Sequence, residues 1–145
     1  MKVRMIEQGA QCTYAVIFDK GEEFIAGLTA WAKENNLGGS HFTAIGAFRE
    51  VTLGYFDRDK KDYRKIPVRE QVEVLSLIGD IALTNGIPQV HAHVVVGKFD
   101  GSAHGGHILE ARVWPTLEVM LTESPKHLRR KYDPETGLSL IDPLQ

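Results

Sequence analysis

Residues 89–110 read QVHAHVVVGKFDGSAHGGHILE, and this stretch predicts a β-hairpin that carries three histidines. Its first part, Gln89–Lys98, is rich in β-branched residues, which favours an extended strand. The Asp-Gly-Ser sequence at 100–102 is typical of a turn. If the chain folds back symmetrically about Asp100, His107 pairs with His93, because the two lie equally far from Asp100 in the sequence.

The three histidines of this hairpin have a spacing that suits a metal ion. His91 and His93 share one face of the predicted strand, because side chains two residues apart point the same way. Directly paired residues of an antiparallel ladder also share a face, which adds His107. Three imidazoles with one coordination position left open are typical of catalytic zinc. The pattern therefore predicts a metal site, with zinc favoured over cobalt, nickel or iron.

Two other interpretations of these histidines remain open. A His-x-His pair on a strand also occurs as two polar residues on the solvent face of a sheet. A bulge at Gly105-Gly106 would shift the side-chain parity and select His104 in place of His107. Without that bulge, His104 pairs with Val96 and faces the other way.

Length and composition favour one ordinary globular domain. The chain has 145 residues, of which 43% are hydrophobic and 25% charged. No apolar run is long enough for a transmembrane helix, so we expect no membrane association. The N-terminal residues lack the apolar core of a secretory signal. Cys12 is the single cysteine, which fits a reducing, cytoplasmic location.

The charge balance argues mildly against a dedicated nucleic-acid binder. Lys and Arg number 17 against 19 Asp and Glu, a net charge of −2. Nucleic-acid binders usually carry a basic face and a high pI. A basic cluster at 58–65 is interleaved with Asp57, Asp59 and Asp62, so its field is largely cancelled.

Hydrophobic patterning predicts an α+β fold, with one main helix after the second strand and about seven strands in a mostly antiparallel, curved sheet. Asp19 to Glu22 resembles a capping box, and a helix from there ends near Asn35. Residues 57–65 are interpreted as a charged loop. We expect strands near 2–7, 12–18, 40–48, 49–56, 72–83, 89–99, 106–113 and 116–122.

Glu73 is the carboxylate that stands out, because it lies inside an otherwise apolar strand sequence, Val72–Ile78. A buried glutamate must be paired, hydrogen-bonded, metal-bound or protonated. We interpret Glu73 as a candidate general base near the histidines, and the alternative is an exposed carboxylate on an edge strand. The sequence has no Walker A loop, no Gly-x-Gly-x-x-Gly and no Gly-x-Ser-x-Gly, so phosphate-loop and serine-hydrolase chemistry lack support.

Five motifs together resemble the plants and prokaryotes conserved (PPC) domain over about residues 2–130. They are GAFREVTLGYF at 46–56, EVLSLIGDI at 73–81, HAHVVVG at 91–97, DGSAHGGHILE at 100–110 and PTLEV at 115–119. We therefore assign residues 1–130 to a PPC domain and residues 131–145 to a polar C-terminal tail.

The resemblance implies an antiparallel α+β fold assembled as a homotrimer, with a metal site on His91, His93 and His107. In plants the domain accompanies AT-hook motifs, which contact the DNA. This chain has no AT-hook, and at 70–74 it reads EQVEV where the plant pattern is GRFEI. From the family we expect a DNA-associated regulatory module.

A more distant resemblance is to acetolactate decarboxylases, which are similar in placing zinc on three histidines. It suggests two alternatives: a small zinc-dependent enzyme that acts on a small carbonyl substrate, or a metal-stabilised structural trimer without chemistry. Fold and metal do not fix a reaction, so that activity is not transferred. The expected partners are further copies of the chain, DNA or a small-molecule ligand.

Overall fold

The structure, a computed structural model, describes residues 1–144, with the backbone alone at residues 6 and 7. In this part of the chain a single α-helix accompanies nine strands. The strands are β1 (Lys2–Gln8), β2 (Cys12–Asp19), β3 (Gly39–Asp57), β4 (Asp62–Val68), β5 (Val72–Thr84), β6 (Ile87–Gly97), β7 (Ala103–Glu123), β8 (Arg129–Asp133) and β9 (Leu138–Ile141); the helix α1 is Phe24–Glu34.

All nine strands belong to one curved sheet that confirms the predicted α+β class. The strand order is β1-β2-β7-β3-β5-β8-β9, with β4 beside β3 and β6 joined to both β5 and β7. Every pairing is antiparallel except the short β5–β8 pair. Because β3, β5, β6 and β7 pair in a ring, the sheet curls around on itself there. Within residues 1–144, the structure contains no helix with the length and apolar character that a membrane span requires.

The long strands β3 and β7 bend where the sequence places Gly46. The β3–β7 register shifts next to this residue, which has φ = 144°. A Cβ added there would lie 2.3 Å from the backbone oxygen of Thr116. Only glycine allows both this backbone conformation and this close approach. The two strands predicted at 40–48 and 49–56 are therefore one strand with a bend.

Helix α1 covers the inner face of the sheet. Its buried side chains are Phe24, Leu28, Trp31 and Ala32, which recur at the spacing of one helix face. The helix begins one turn later than the capping-box pattern predicts, because Glu23 and not Asp19 caps it by accepting from the Ala26 amide. Glu22 instead accepts a 2.7 Å hydrogen bond from the backbone N–H of Asp19.

Two parts of the chain that were expected to lack strands carry them. Residues 62–68 form the edge strand β4, so the predicted charged loop shrinks to a short turn. The expected polar tail contains the β8–β9 hairpin, held by parallel pairing of β8 with β5. Strand β4 and the outer strand of the hairpin, β9, lie at edges of the sheet. The charged side chains of β4 and β8 hide the usual alternating apolar pattern.

Candidate metal centre

The three histidines meet where β5, β6 and β7 lie side by side. His93 pairs directly with His107, and His104 pairs with Val96, as the sequence predicts for a hairpin without a bulge. On the other side of β6, His91 pairs with Asp80 of β5. His91 and His93 project from the same face of β6, and the pairing places His107 beside them.

The imidazoles lie close enough to share one ion. One ring nitrogen from each of His91, His93 and His107 lies within 4.8 Å of the others. The Nε2 atoms of His91 and His93 are 3.2 Å apart. Zinc–nitrogen bonds of about 2.0–2.1 Å at tetrahedral angles put ligand nitrogens about 3.3 Å apart. Small ring rotations therefore bring all three to metal distances.

The environment keeps two of these imidazoles neutral, which is the form that binds metal. Burial, with smaller effects of the His91 and His93 charges, lowers the pKa of His107 to about 4. Burial and the charge of His91 also lower the pKa of His93. Nδ1 of His107 is buried and has no hydrogen-bond partner in the described structure. A buried polar atom without a partner is rare and fits a site that binds a ligand.

Asp80 and Arg130 lie beside Nδ1 of His91, at the edge of the ring away from His93. Asp80 Oδ2 lies 3.6 Å from His91 Nδ1, and Arg130 of β8 forms an ion pair with the same carboxylate. Arg130 also donates a 3.2 Å hydrogen bond to the backbone oxygen of Ser139. Burial alone would raise the pKa of Asp80, but the polar contacts with His91 and Arg130 lower it. Asp80 thus stays charged beside the imidazole.

Tyr63 of β4 covers the remaining side of the site. Its ring stacks on His107, with centroids 4.6 Å apart and planes at 21°. A cleft beside the histidines is lined by Tyr63, His91 and His107 on one side and by Arg130 and Leu138 of the hairpin on the other. The arrangement offers three imidazole nitrogens at the edge of a cleft.

A family model for the Plants and Prokaryotes Conserved domain, abbreviated PCC or PPC, matches residues 5–125. The chain belongs to this family. No protein of curated function matches the sequence significantly.

Three solved structures share the fold over nearly their whole length. A PPC protein from Pyrococcus horikoshii is 34% identical over 92% of each chain, with a TM-score of 0.85. A metal-containing protein from Archaeoglobus fulgidus is 31% identical, covering 97% of this chain and 96% of its own, with a TM-score of 0.83. A candidate DNA-binding protein from Bacteroides thetaiotaomicron is 29% identical over 99% of each chain, with a TM-score of 0.88.

Glu73 lies apart from the histidine group of this PPC domain. It is exposed and pairs with Gly97, four residues along β6 from His93. At about 3.3 Å per residue, this separates the two positions by roughly 13 Å. The carboxylate that the fold brings to the histidines is Asp80. The role of Glu73 as a general base stays a prediction.

Sequence reasoning missed Asp80, Arg130 and Tyr63. Asp80 follows Gly79 in the motif shared with the PPC family, and a polar residue in the strand beside a His-x-His pair is a signal for it. Arg130 and Tyr63 gave no such signal, because both belong to segments interpreted as a tail and a loop. Their contacts with the histidines depend on pairings between strands that are far apart in sequence.

Proposed function

We propose that this PPC-domain protein binds one divalent metal ion through His91, His93 and His107, with zinc the favoured metal. The observation that carries the proposal is the convergence of the three ring nitrogens within 4.8 Å. The buried, unpartnered Nδ1 of His107 and the carboxylate of Asp80 behind His91 support it. A carboxylate behind a histidine ligand orients the ring and raises its basicity.

His91, His93 and His107 would hold such an ion at the edge of the cleft that His91 and His107 line. Such an ion lowers the pKa of a bound water towards about 7 or polarises a carbonyl oxygen. The chain's own residues hold the ligand set in place: the β6–β7 pairing fixes His93 against His107, and Tyr63 stacks on His107. These features support an accessible metal centre more than a closed structural one.

The test is the metal content of untagged, full-length protein purified without chelators, measured by mass spectrometry. We expect about one zinc per chain, lost in His93→Ala. His104→Ala is the matched control, because His104 is exposed, lies on the same strand as His107 and points to the opposite face. Equal metal content in His93→Ala and the wild type would overturn the proposal.

We further propose that the domain assembles as a homotrimer. The support is a group of exposed apolar side chains on the outer face of the sheet, which we call the outer-face patch: Ile45, Leu75, Ile78, Val95 and Met120, between 42% and 62% exposed. Ile78 pairs with His93, so this patch reaches the metal centre. Contiguous exposed apolar surface of this kind is typical of interaction sites.

Light scattering on a sizing column tests the assembly. We expect a mass three times that of the 16.2 kDa chain. Ile78→Lys, which places a charge in the outer-face patch, should lower that mass. Tyr55→Lys is the control, because Tyr55 is 68% exposed and lies ten residues from Ile45 along β3. A monomeric wild type would contradict the proposal.

A DNA-associated regulatory role is the second candidate function, supported by the description of the Bacteroides relative. Exposed Lys60, Arg64 and Lys65 on the β3–β4 hairpin are the side chains available for phosphates. The test is retention of duplex DNA over a range of salt concentrations. A steep fall of affinity with salt supports DNA binding, since each phosphate contact releases counterions. No retention at low salt would overturn this role.

A further inference from the structure

The β8–β9 hairpin forms one wall of a cleft whose other wall is the candidate metal centre. Arg130, Leu138 and Leu140 line it from the hairpin, and His91 and His107 line it from the sheet. We call this space the hairpin cleft. The family model ends at residue 125, before the hairpin begins. The part of the cleft that is shaped by the hairpin therefore lies outside the segment that defines the family.

Charge in the hairpin cleft favours an anion. Imidazole ligands contribute no negative charge to a divalent ion, and within the described residues no carboxylate joins the histidine group. The neighbouring Asp80 is already neutralised by Arg130. A metal bound here therefore keeps nearly its full positive charge in a partly buried site, where electrostatic attraction is screened less than in water.

The hairpin wall has both polar and apolar parts. Arg130 is only 8% exposed as a side chain and is fixed by Asp80 and by the backbone oxygen of Ser139. A guanidinium has five N–H donors, and these two contacts leave some of them unused. Leu138 and Leu140 follow on the next strand and lie on one face of it, since they are two residues apart. A ligand in the cleft meets the Arg130–Asp80 ion pair at one end and leucines beside it.

We propose that the hairpin cleft binds a small monocarboxylate. A metal ion held by the three histidines would attract its carboxylate, and the short apolar end would pack against Leu138 and Leu140. This inference rests on the proposed metal site and adds the class of its ligand. Inorganic phosphate lacks an apolar end and carries more charge, so it fits less well against Leu138 and Leu140.

The test uses the full chain loaded with cobalt(II), whose visible absorption reports the coordination of the ion. Acetate, butyrate and inorganic phosphate are titrated separately. We expect saturable spectral changes with both carboxylates and tighter binding of butyrate, by up to about fourfold for each methylene that becomes buried. We expect phosphate to bind more weakly than either carboxylate.

Two variants test the apolar part of the cleft. Leu138→Ala should remove most of the preference for butyrate over acetate while cobalt content and acetate affinity stay unchanged. Ile141→Ala is its control, since Ile141 lies on the same strand outside the cleft.

The possible failures are distinguishable. A chain that takes up no cobalt overturns the metal site and this inference together. If neither carboxylate changes the spectrum of the cobalt-loaded chain, or if phosphate binds more tightly than both, the proposed ligand class is wrong. The metal site is then unaffected. Equal affinity for acetate and butyrate in the wild type, or an unchanged preference in Leu138→Ala, overturns the role of the two leucines.

Discussion

The carboxylate of Asp80 lies 3.6 Å from Nδ1 of His91, on the side of the ring away from His93. Its second oxygen is held by Arg130, which reaches across from the C-terminal hairpin. A proton on Nδ1 directed at Asp80 would leave the lone pair of Nε2 free for a metal, and Arg130 Nη2 lies 3.4 Å from the same Nδ1. The chain thus supports one candidate ligand, His91, through Arg130, which lies 39 positions away in sequence.

Asp80→Asn should therefore weaken zinc binding by about 10–100-fold, the usual effect of removing the outer partner of a histidine ligand. Competition with a chromophoric chelator measures the affinity. Glu73→Gln is the control, since it removes a carboxylate from the same strand at an exposed position opposite Gly97. If both variants lose affinity equally, general charge and not the contact with His91 explains the effect.

Gly79→Ala should destabilise the fold by about 1–3 kcal/mol through overpacking. An added Cβ would lie 2.3 Å from Cζ of Phe42 and 2.5 Å from the backbone oxygen of His91. Chemical denaturation measures the loss. Gly9→Ala is the control, because the nearest atom to its Cβ is 3.8 Å away. A Gly79→Ala protein as stable as the wild type would show that β5 and β6 separate without cost.

Glu123→Ala should lower the free energy of unfolding by about 1–3 kcal/mol. The Glu123 carboxylate accepts hydrogen bonds from the backbone N–H groups of Gly38 and Gly39, at 2.9 and 3.1 Å, and from the buried hydroxyl of Ser40. These donors lose their acceptor in the variant. Glu118→Ala, an exposed glutamate on the same strand, should change stability little. Equal losses would contradict this explanation.

The histidine hairpin was predictable because its geometry is local. The turn at 100–102 lies midway between His93 and His107, and the observed pairing of these two residues confirms the register. The alternating and β-branched residues of β6 decide which side chains share a face. Their role as metal ligands stays a prediction, since pairing alone does not identify an ion.

The surroundings of the histidines were not predictable in the same way. Arg130 reaches Asp80 through the parallel β5–β8 pair, and Tyr63 reaches His107 because both of their strands pair with β3. Such contacts depend on the order of strands in the sheet, which no local pattern encodes. The strands β4 and β8 carry many charged side chains, so their sequences resemble a loop and a tail.

Zinc should raise the thermal stability of the wild type, because an ion that binds only the folded chain stabilises it by RT ln(1 + [L]/Kd). At free zinc about a hundredfold above Kd, this amounts to about 2.7 kcal/mol. Differential scanning calorimetry with and without chelator measures the shift in Tm. His93→Ala should show none, while His104→Ala should respond as the wild type does, because His104 faces away from the other histidines. A zinc-dependent shift that persists in His93→Ala would place the stabilising ion elsewhere on the chain.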